Sequence, residues 1–212
     1  MNFIKENRYF LILFLLFLYI GGTLLFFESQ GDAIFFFSDK RTVFGDLFFT
    51  YFTKVGEEGM YFVVIACLLY FIKPLNYRFI AYIALLGGTV TLISYFLKTY
   101  FRHPRPSLYF ERNGILDEII RVADVALNGG LNSFPSGHTM SGFALYAFVA
   151  FVIPNKKWGG ILLFLVAFLV GLSRIYLVQH FLQDVYIGAI IGVGIGVLWW
   201  WIKERLERKK NP

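Results

Sequence analysis

His180 and Asp184 stand four residues apart, a spacing at which two side chains on one helix meet. A carboxylate on one imidazole nitrogen fixes the ring and leaves the other nitrogen free and more basic, as a histidine nucleophile requires. Ser173-Arg174 lies just upstream, and Pro135-Ser136-Gly137-His138 forms a second group. In that group His138 is available as general acid for a leaving alcohol. Lys98 and Arg105-Pro106, with six residues between them, form a third. Lys98, Arg105 and Arg174 have no matching acids nearby in the chain. Such a cationic set wants an anion, and guanidinium groups suit the paired oxygens of phosphate. Ser136 and Gly137 are expected to open a helix, whose free N–H groups and dipole also favour phosphate. Gly137 lets that backbone come close to the ligand.

Taken one at a time, these features have blander readings. A His-x-x-x-Asp pair is more often a structural bridge, the Pro-Ser-Gly-His run can be a helix cap, and arginines near a membrane commonly snorkel to headgroups. His138, His180 and Asp184 could also ligate zinc, but three cations in the same pocket would repel a divalent ion. No metal and no cofactor are expected. His103, between Lys98 and Arg105, reads as a loop residue without a role.

The elements that must carry these groups are set by an apolar solvent. Of 212 residues, 58% are hydrophobic and 16% charged, whereas soluble domains carry about a quarter charged. Six apolar runs approach or reach the roughly 18–20 residues that span a hydrocarbon core as helix: 9–27, 55–72, 79–97, 137–153, 158–173 and 185–202. Helix is required because backbone facing lipid must satisfy its own hydrogen bonds. Glu57 and Glu58 move the real start of the second run to Gly59. The first run, 19 residues long with no A-x-A site after it, reads as a retained helix rather than a signal peptide. The fold class expected is therefore all-α, one integral membrane domain over 1–212, with six transmembrane helices and interfacial helices in the outer loops.

The side holding both termini has 11 basic and 3 acidic residues, the other side 9 and 11. The positive-inside rule then puts the termini in the cytoplasm, with Trp199–Trp201 in the aromatic belt of the last helix. All three motifs fall at the opposite, outer face, although they played no part in the charge count. The basic tail, including Lys209 and Lys210, reads as a topology signal rather than a nucleic-acid contact. Cys67 excludes an internal disulfide and reads as packing.

The outer connections, about 28–54 and 98–136, are long enough to hold function. The phenylalanine-rich stretch 34–52 reads as interfacial. Ile115, Leu116, Ile119, Ile120 and Ala123 recur at helical spacing opposite Asp117, Glu118, Arg121 and Asp124, which predicts a surface helix and a lid over a lipid headgroup. Gly188, Gly192 and Gly196 predict close helix packing.

Jointly, Lys98-x6-Arg105-Pro106, Pro135-Ser136-Gly137-His138 and Ser173-Arg174-x5-His180-x3-Asp184 resemble the signature of the type 2 phosphatidic acid phosphatase superfamily. The motifs cover 98–184, and the six-helix layout extends the resemblance to the whole chain. It implies that His180 is the nucleophile, oriented by Asp184, and that His138 serves the leaving group and then water. It also implies that Lys98, Arg105, Ser136, Gly137 and Arg174 hold the phosphoryl oxygens. The expected partner is a lipid phosphate in the membrane: undecaprenyl diphosphate, the 1-phosphate of lipid A, phosphatidylglycerophosphate or phosphatidate. Alternatives are phosphotransfer to an acceptor lipid and a non-catalytic lipid-binding protein. The intact histidines argue against the latter, because binding needs only the cations.

Overall fold

The structure is a computed structural model that describes residues 3–71, 77–123 and 125–208. Ile72 and Lys73, the acidic-face residue Asp124, and Lys209 and Lys210 of the basic tail lie outside the described residues. Among the described residues ten α-helices follow in order: α1 (Phe3–Glu6), α2 (Arg8–Phe27), α3 (Asp32–Asp39), α4 (Val43–Phe52), α5 (Gly59–Phe71), α6 (Tyr77–Phe101), α7 (Pro106–Arg112), α8 (Gly137–Val152), α9 (Lys156–Tyr176) and α10 (Leu182–Arg208). Short 3-10 turns occupy Thr53–Gly56 and Leu116–Glu118. No strand occurs among the described residues.

Six of these helices coincide with the six expected apolar runs, and α5 begins at Gly59, just past the two glutamates. Arg8–Phe27, Arg78–Arg112, Lys156–Tyr176 and Leu182–Arg208 are long and apolar enough to cross a membrane. Of the other two, α5 has 13 described residues and α8 has 16, and the position of α8 explains why that suffices. Every residue from Thr139 to Phe151 is buried, so α8 is enclosed by the other helices. The outer helices take the lipid contact: α2 leaves Ile12, Leu15, Leu16 and Tyr19 exposed. Such a surface is costly in water and neutral in lipid. Cys67 is also exposed, so its expected packing role is corrected: the thiol lies on the outside of α5.

Small residues set the closest approach in the bundle. A Cβ on Gly192 would stand 2.5 Å from the Met140 carbonyl oxygen of α8, and one on Gly188 would stand 2.9 Å from that of Ser136. One on Gly196 would stand 3.0 Å from the Ala144 carbonyl oxygen. Glycine at every fourth residue thus allows α10 to lie backbone against backbone on α8.

Between α2 and α5, α3 and α4 form the stretch expected to be interfacial: Ile34 is buried while Val43, Phe44, Leu47 and Tyr51 are exposed. Thr42 caps α4 by accepting a hydrogen bond from the Gly45 amide. The connection between α7 and α8 differs from expectation. The helix expected over Ile115–Ala123 is absent, and the segment forms only the Leu116–Glu118 turn followed by irregular chain. Ile119 is 3% exposed and packs with Ile34, Phe110 and Phe181, with Ile115 and Leu116 beside them. Like Ala123, Ile120 faces outward. Its backbone is tied down, since Ile120 N–H donates to Ser38 Oγ at 2.7 Å and its carbonyl accepts from Arg41 Nε at 2.6 Å. The period of the apolar residues is served by packing on a small outer core, and the lid read from it is withdrawn.

Candidate active site

The end of α8 is built by a helix cap. Ser136 is the N-cap; its Oγ accepts from Thr139 N–H at 3.4 Å and from Thr139 Oγ1 at 2.9 Å. Its own N–H donates to the Asp184 carbonyl at 3.0 Å, so the start of α8 is bolted to the start of α10. Ser136 is fully buried, and what it can still offer a ligand is its hydroxyl proton. Gly137 lies under Lys98: a Cβ there would meet Lys98 Nζ and Ser94 Oγ, each at 3.4 Å. The last turn of α6 and the first of α8 therefore share one space.

The α9–α10 connection brings in the rest. Arg174 lies in the last turn of α9, and its carbonyl accepts from both Gln179 N–H and His180 N–H, at 2.9 and 3.1 Å. This tight return is possible because Val178 takes a left-handed conformation, with φ of 58°. His180 is 1% exposed, with Nδ1 3.4 Å from Asp184 Oδ2 and 3.4 Å from Ser133 Oγ. Oδ2 also accepts from Ser133 Oγ at 2.5 Å and from Phe181 N–H at 3.0 Å, which fixes the carboxylate.

His180 is pushed down to about 4, first by burial and then by Arg174 and Arg105, against the opposing pull of Asp184. The imidazole is neutral at neutral pH, so its contact with Asp184 is a hydrogen-bonded pair rather than an ion pair.

The cations gather here as expected. Arg105 is 8% exposed; its Nε donates to Asn132 Oδ1 at 2.7 Å and its NH1 to the Gln179 carbonyl at 3.3 Å. Arg174 is 6% exposed; its NH1 donates to Thr53 Oγ1 at 2.6 Å, while its Nε is buried without a protein partner. An orphaned guanidinium N–H at such a site is a ready donor to an oxyanion.

His138 is half-buried, with Nε2 4.0 Å from Glu57 Oε1. Together Glu57, Glu58, Lys98, Gly137 and His138 line the head of a cleft of about 850 Å³ that runs between α5 and α6 to Ile65 and Ile83. It is open, polar at one end and apolar along its length.

All eight candidate residues thus lie on the elements that meet at one end of α8. His103 stays outside, its Nε2 3.3 Å from Gln183 Nε2 and its ring against Phe134 and Phe181. Four supporting residues escape sequence reasoning: Thr53, Glu57, Asn132 and Ser133. Glu57 carried one usable signal, a carboxylate at the end of an apolar run. Among the described residues, no three His, Cys, Asp or Glu side chains come together as a metal-ligand set.

A family model described as the PAP2 superfamily matches residues 76–208. The Lipid A 4'-phosphatase of Bacteroides thetaiotaomicron is 30% identical over 188 residues, covering 86% of this chain and 80% of that protein. Phosphatidylglycerophosphatase B of Bacillus subtilis is 36% identical over 84 residues, 36% of this chain and 41% of that protein. The crystal structure of Aquifex aeolicus LpxE superimposes with a TM-score of 0.66 at 28% identity, covering 82% of this chain and 95% of that one.

Proposed function

This chain belongs to the PAP2 superfamily and is an integral membrane phosphatase of that type, and we propose that it hydrolyses a lipid phosphomonoester at the outer face of the membrane through a phosphohistidine. The observation that carries the reading is His180, neutral and clamped by Asp184 and Ser133, and close enough to Arg174 and Arg105 for their charges to act on the ring. Since Nδ1 faces the carboxylate, Nε2 is the nitrogen that attacks phosphorus. The N–P bond forms as the bond to the leaving oxygen breaks, and His138 gives that oxygen its proton. Asp184 steadies the positive charge that develops on the His180 ring. His138 then takes a proton from water, whose oxygen displaces His180 and releases phosphate. Lys98, Arg105 and Arg174, with the Ser136 hydroxyl and the amide end of α8 at Gly137, hold the three equatorial oxygens. These side chains supply the charge neutralisation that other phosphoryl-transfer enzymes take from metal ions.

A lipid substrate is supported by the cleft between α5 and α6. Drawing acyl chains into water costs about 0.8 kcal/mol per CH₂, so the chains stay in the apolar part while the phosphate reaches Lys98 and His138. A relative that matches over 188 residues is a lipid A 4'-phosphatase, which makes lipid A the first substrate to assay. Detergent-solubilised protein is expected to release phosphate from a panel of lipid A, phosphatidylglycerophosphate, phosphatidate and undecaprenyl diphosphate, with monoesters preferred. Activity should survive EDTA and stop with vanadate, which takes up the five-coordinate geometry. Loss on chelation, restored by zinc or magnesium, would overturn the metal-free mechanism. An inert panel would overturn the lipid phosphatase reading.

The outward placement rests on the charge asymmetry of the loops. Single cysteines at Lys98 and Lys156, in a chain with Cys67 replaced, should label from outside and inside respectively. Labelling of position 156 from outside reverses the topology.

A further inference from the structure

The last residue turn of α6 is closed in an unusual way. Arg102 N–H donates to the Lys98 carbonyl at 3.2 Å, and Arg102 itself sits in the left-handed region, with φ of 46°. This is the helix-ending position that glycine fills without strain. An arginine held there keeps its side chain against a backbone preference, and strain of this kind points to a use for the group. Arg102 is exposed, and its guanidinium makes no hydrogen bond or ion pair among the described residues.

Arg102 lines a cavity of about 430 Å³ together with Lys98, Thr99, Gly130 and Asn132. Tyr95 and Lys98 belong both to this cavity and to the cleft that holds His138, so the two spaces adjoin along the end of α6. No carboxylate lines this second space among the described residues. The Asn132 carbonyl oxygen is already taken by Arg105, which leaves its amide nitrogen as a donor. Gly130, with φ of 145°, turns the facing loop, and its carbonyl accepts from Arg105 N–H at 2.8 Å, which ties the wall of the cavity to the phosphate site. Positive charge and donors without acids describe a receptor for an oxyanion.

We infer that Arg102, with Lys98 and Asn132, forms a subsite for a second anionic group, a phosphate or carboxylate set apart from the scissile phosphate on the substrate headgroup. The inference rests on the phosphatase reading above and narrows its substrate class to headgroups that bear two anions. The opposite wall of the reacting phosphate carries Glu57 and Glu58, so a second anion is admitted on the Arg102 side and disfavoured on the other.

The test compares wild type with Arg102→Gly, which keeps the left-handed turn and removes only the side chain. The substrates are a lipid disaccharide with a phosphate on each sugar and the same lipid with one phosphate, both in zwitterionic micelles. One lost bidentate pair should lower kcat/KM for the two-phosphate lipid about tenfold, through KM, and leave the one-phosphate lipid within about twofold. Equal loss on both lipids, or loss on neither, overturns the subsite and reduces Arg102 to a basic helix terminus. If loss on the one-phosphate lipid appears only after phosphatidylglycerol is added to the micelles, the subsite stands but takes its anion from a neighbouring lipid. Binding of both lipids is measured in parallel on His180→Ala protein with and without Arg102→Gly. A lipid panel that yields no phosphate sinks the phosphatase reading, whereas the binding difference alone decides the subsite.

Discussion

Replacing His180 with alanine is expected to lower turnover by at least about a thousandfold while the protein stays folded and in the membrane. Nδ1 of the ring faces Asp184 and Ser133, and the Arg174 carbonyl holds the backbone N–H at that position, a bond the alanine variant keeps. Activity within tenfold of wild type would remove His180 as the nucleophile. A pH profile gives a second, independent reading. With His180 held at about 4 rather than 6.5, the nucleophile is already neutral at pH 6, and the rate should fall only as pH approaches 4. An acid limb centred near 6.5 would show an ordinary histidine. The same shift bears on folding. Because protonation is disfavoured in the native state, the stabilising contribution is complete above about pH 6.5 and is lost as pH falls toward 4.

The second large effect is predicted far from any titratable group. Gly192→Ala places a methyl where the Met140 carbonyl oxygen would be 2.5 Å away, with Phe143 Cβ at 2.9 Å. Neither a backbone oxygen nor a buried helix can give way locally, so α8 and α10 must separate. His138 rides on the first of these helices and Asp184 on the second, and Ser136 N–H bonds directly to the Asp184 carbonyl. A displacement near 1 Å is enough to cost about a hundredfold in rate, and the variant should also melt at a lower temperature. Gly194→Ala is the control, since nothing lies within 4 Å of a Cβ there. Equal behaviour of the two variants would refute the backbone-contact account.

The parts of this molecule legible in its sequence are those governed by one dominant force. Hydrocarbon solvent requires long apolar helices, so α2, α6, α8, α9 and α10 could be marked to within a few residues. Helix geometry alone joins His180 to Asp184, and the cap at Ser136 follows from residue type. Where two signals competed, the reading failed. Ile115, Leu116, Ile119 and Ile120 keep helical spacing, yet tertiary hydrogen bonds to Ser38 and Arg41 hold the segment extended and turn Ile119 inward. The partners that complete the site were hidden for a different reason. Thr53 reaches Arg174 across 121 residues and Ser133 reaches Asp184 across 51, and no periodicity records such a meeting.

The burial of α8 on all sides separates the chemistry from the bilayer as a mechanical medium. A membrane that thickens or thins acts on helices that touch lipid, by tilting them until their apolar lengths match. Here α2 offers that contact through Ile12, Leu15, Leu16 and Tyr19, while α8 is buried from Thr139 to Phe151. The glycine seam locks α8 to α10, so the two helices that carry His138 and Asp184 move as one rigid unit when their neighbours lean. α10 itself meets lipid through Ile190, Leu198 and Trp201, and the seam makes the enclosed α8 follow it. The spacing of the reacting groups is thereby insulated from the thickness of the membrane around them.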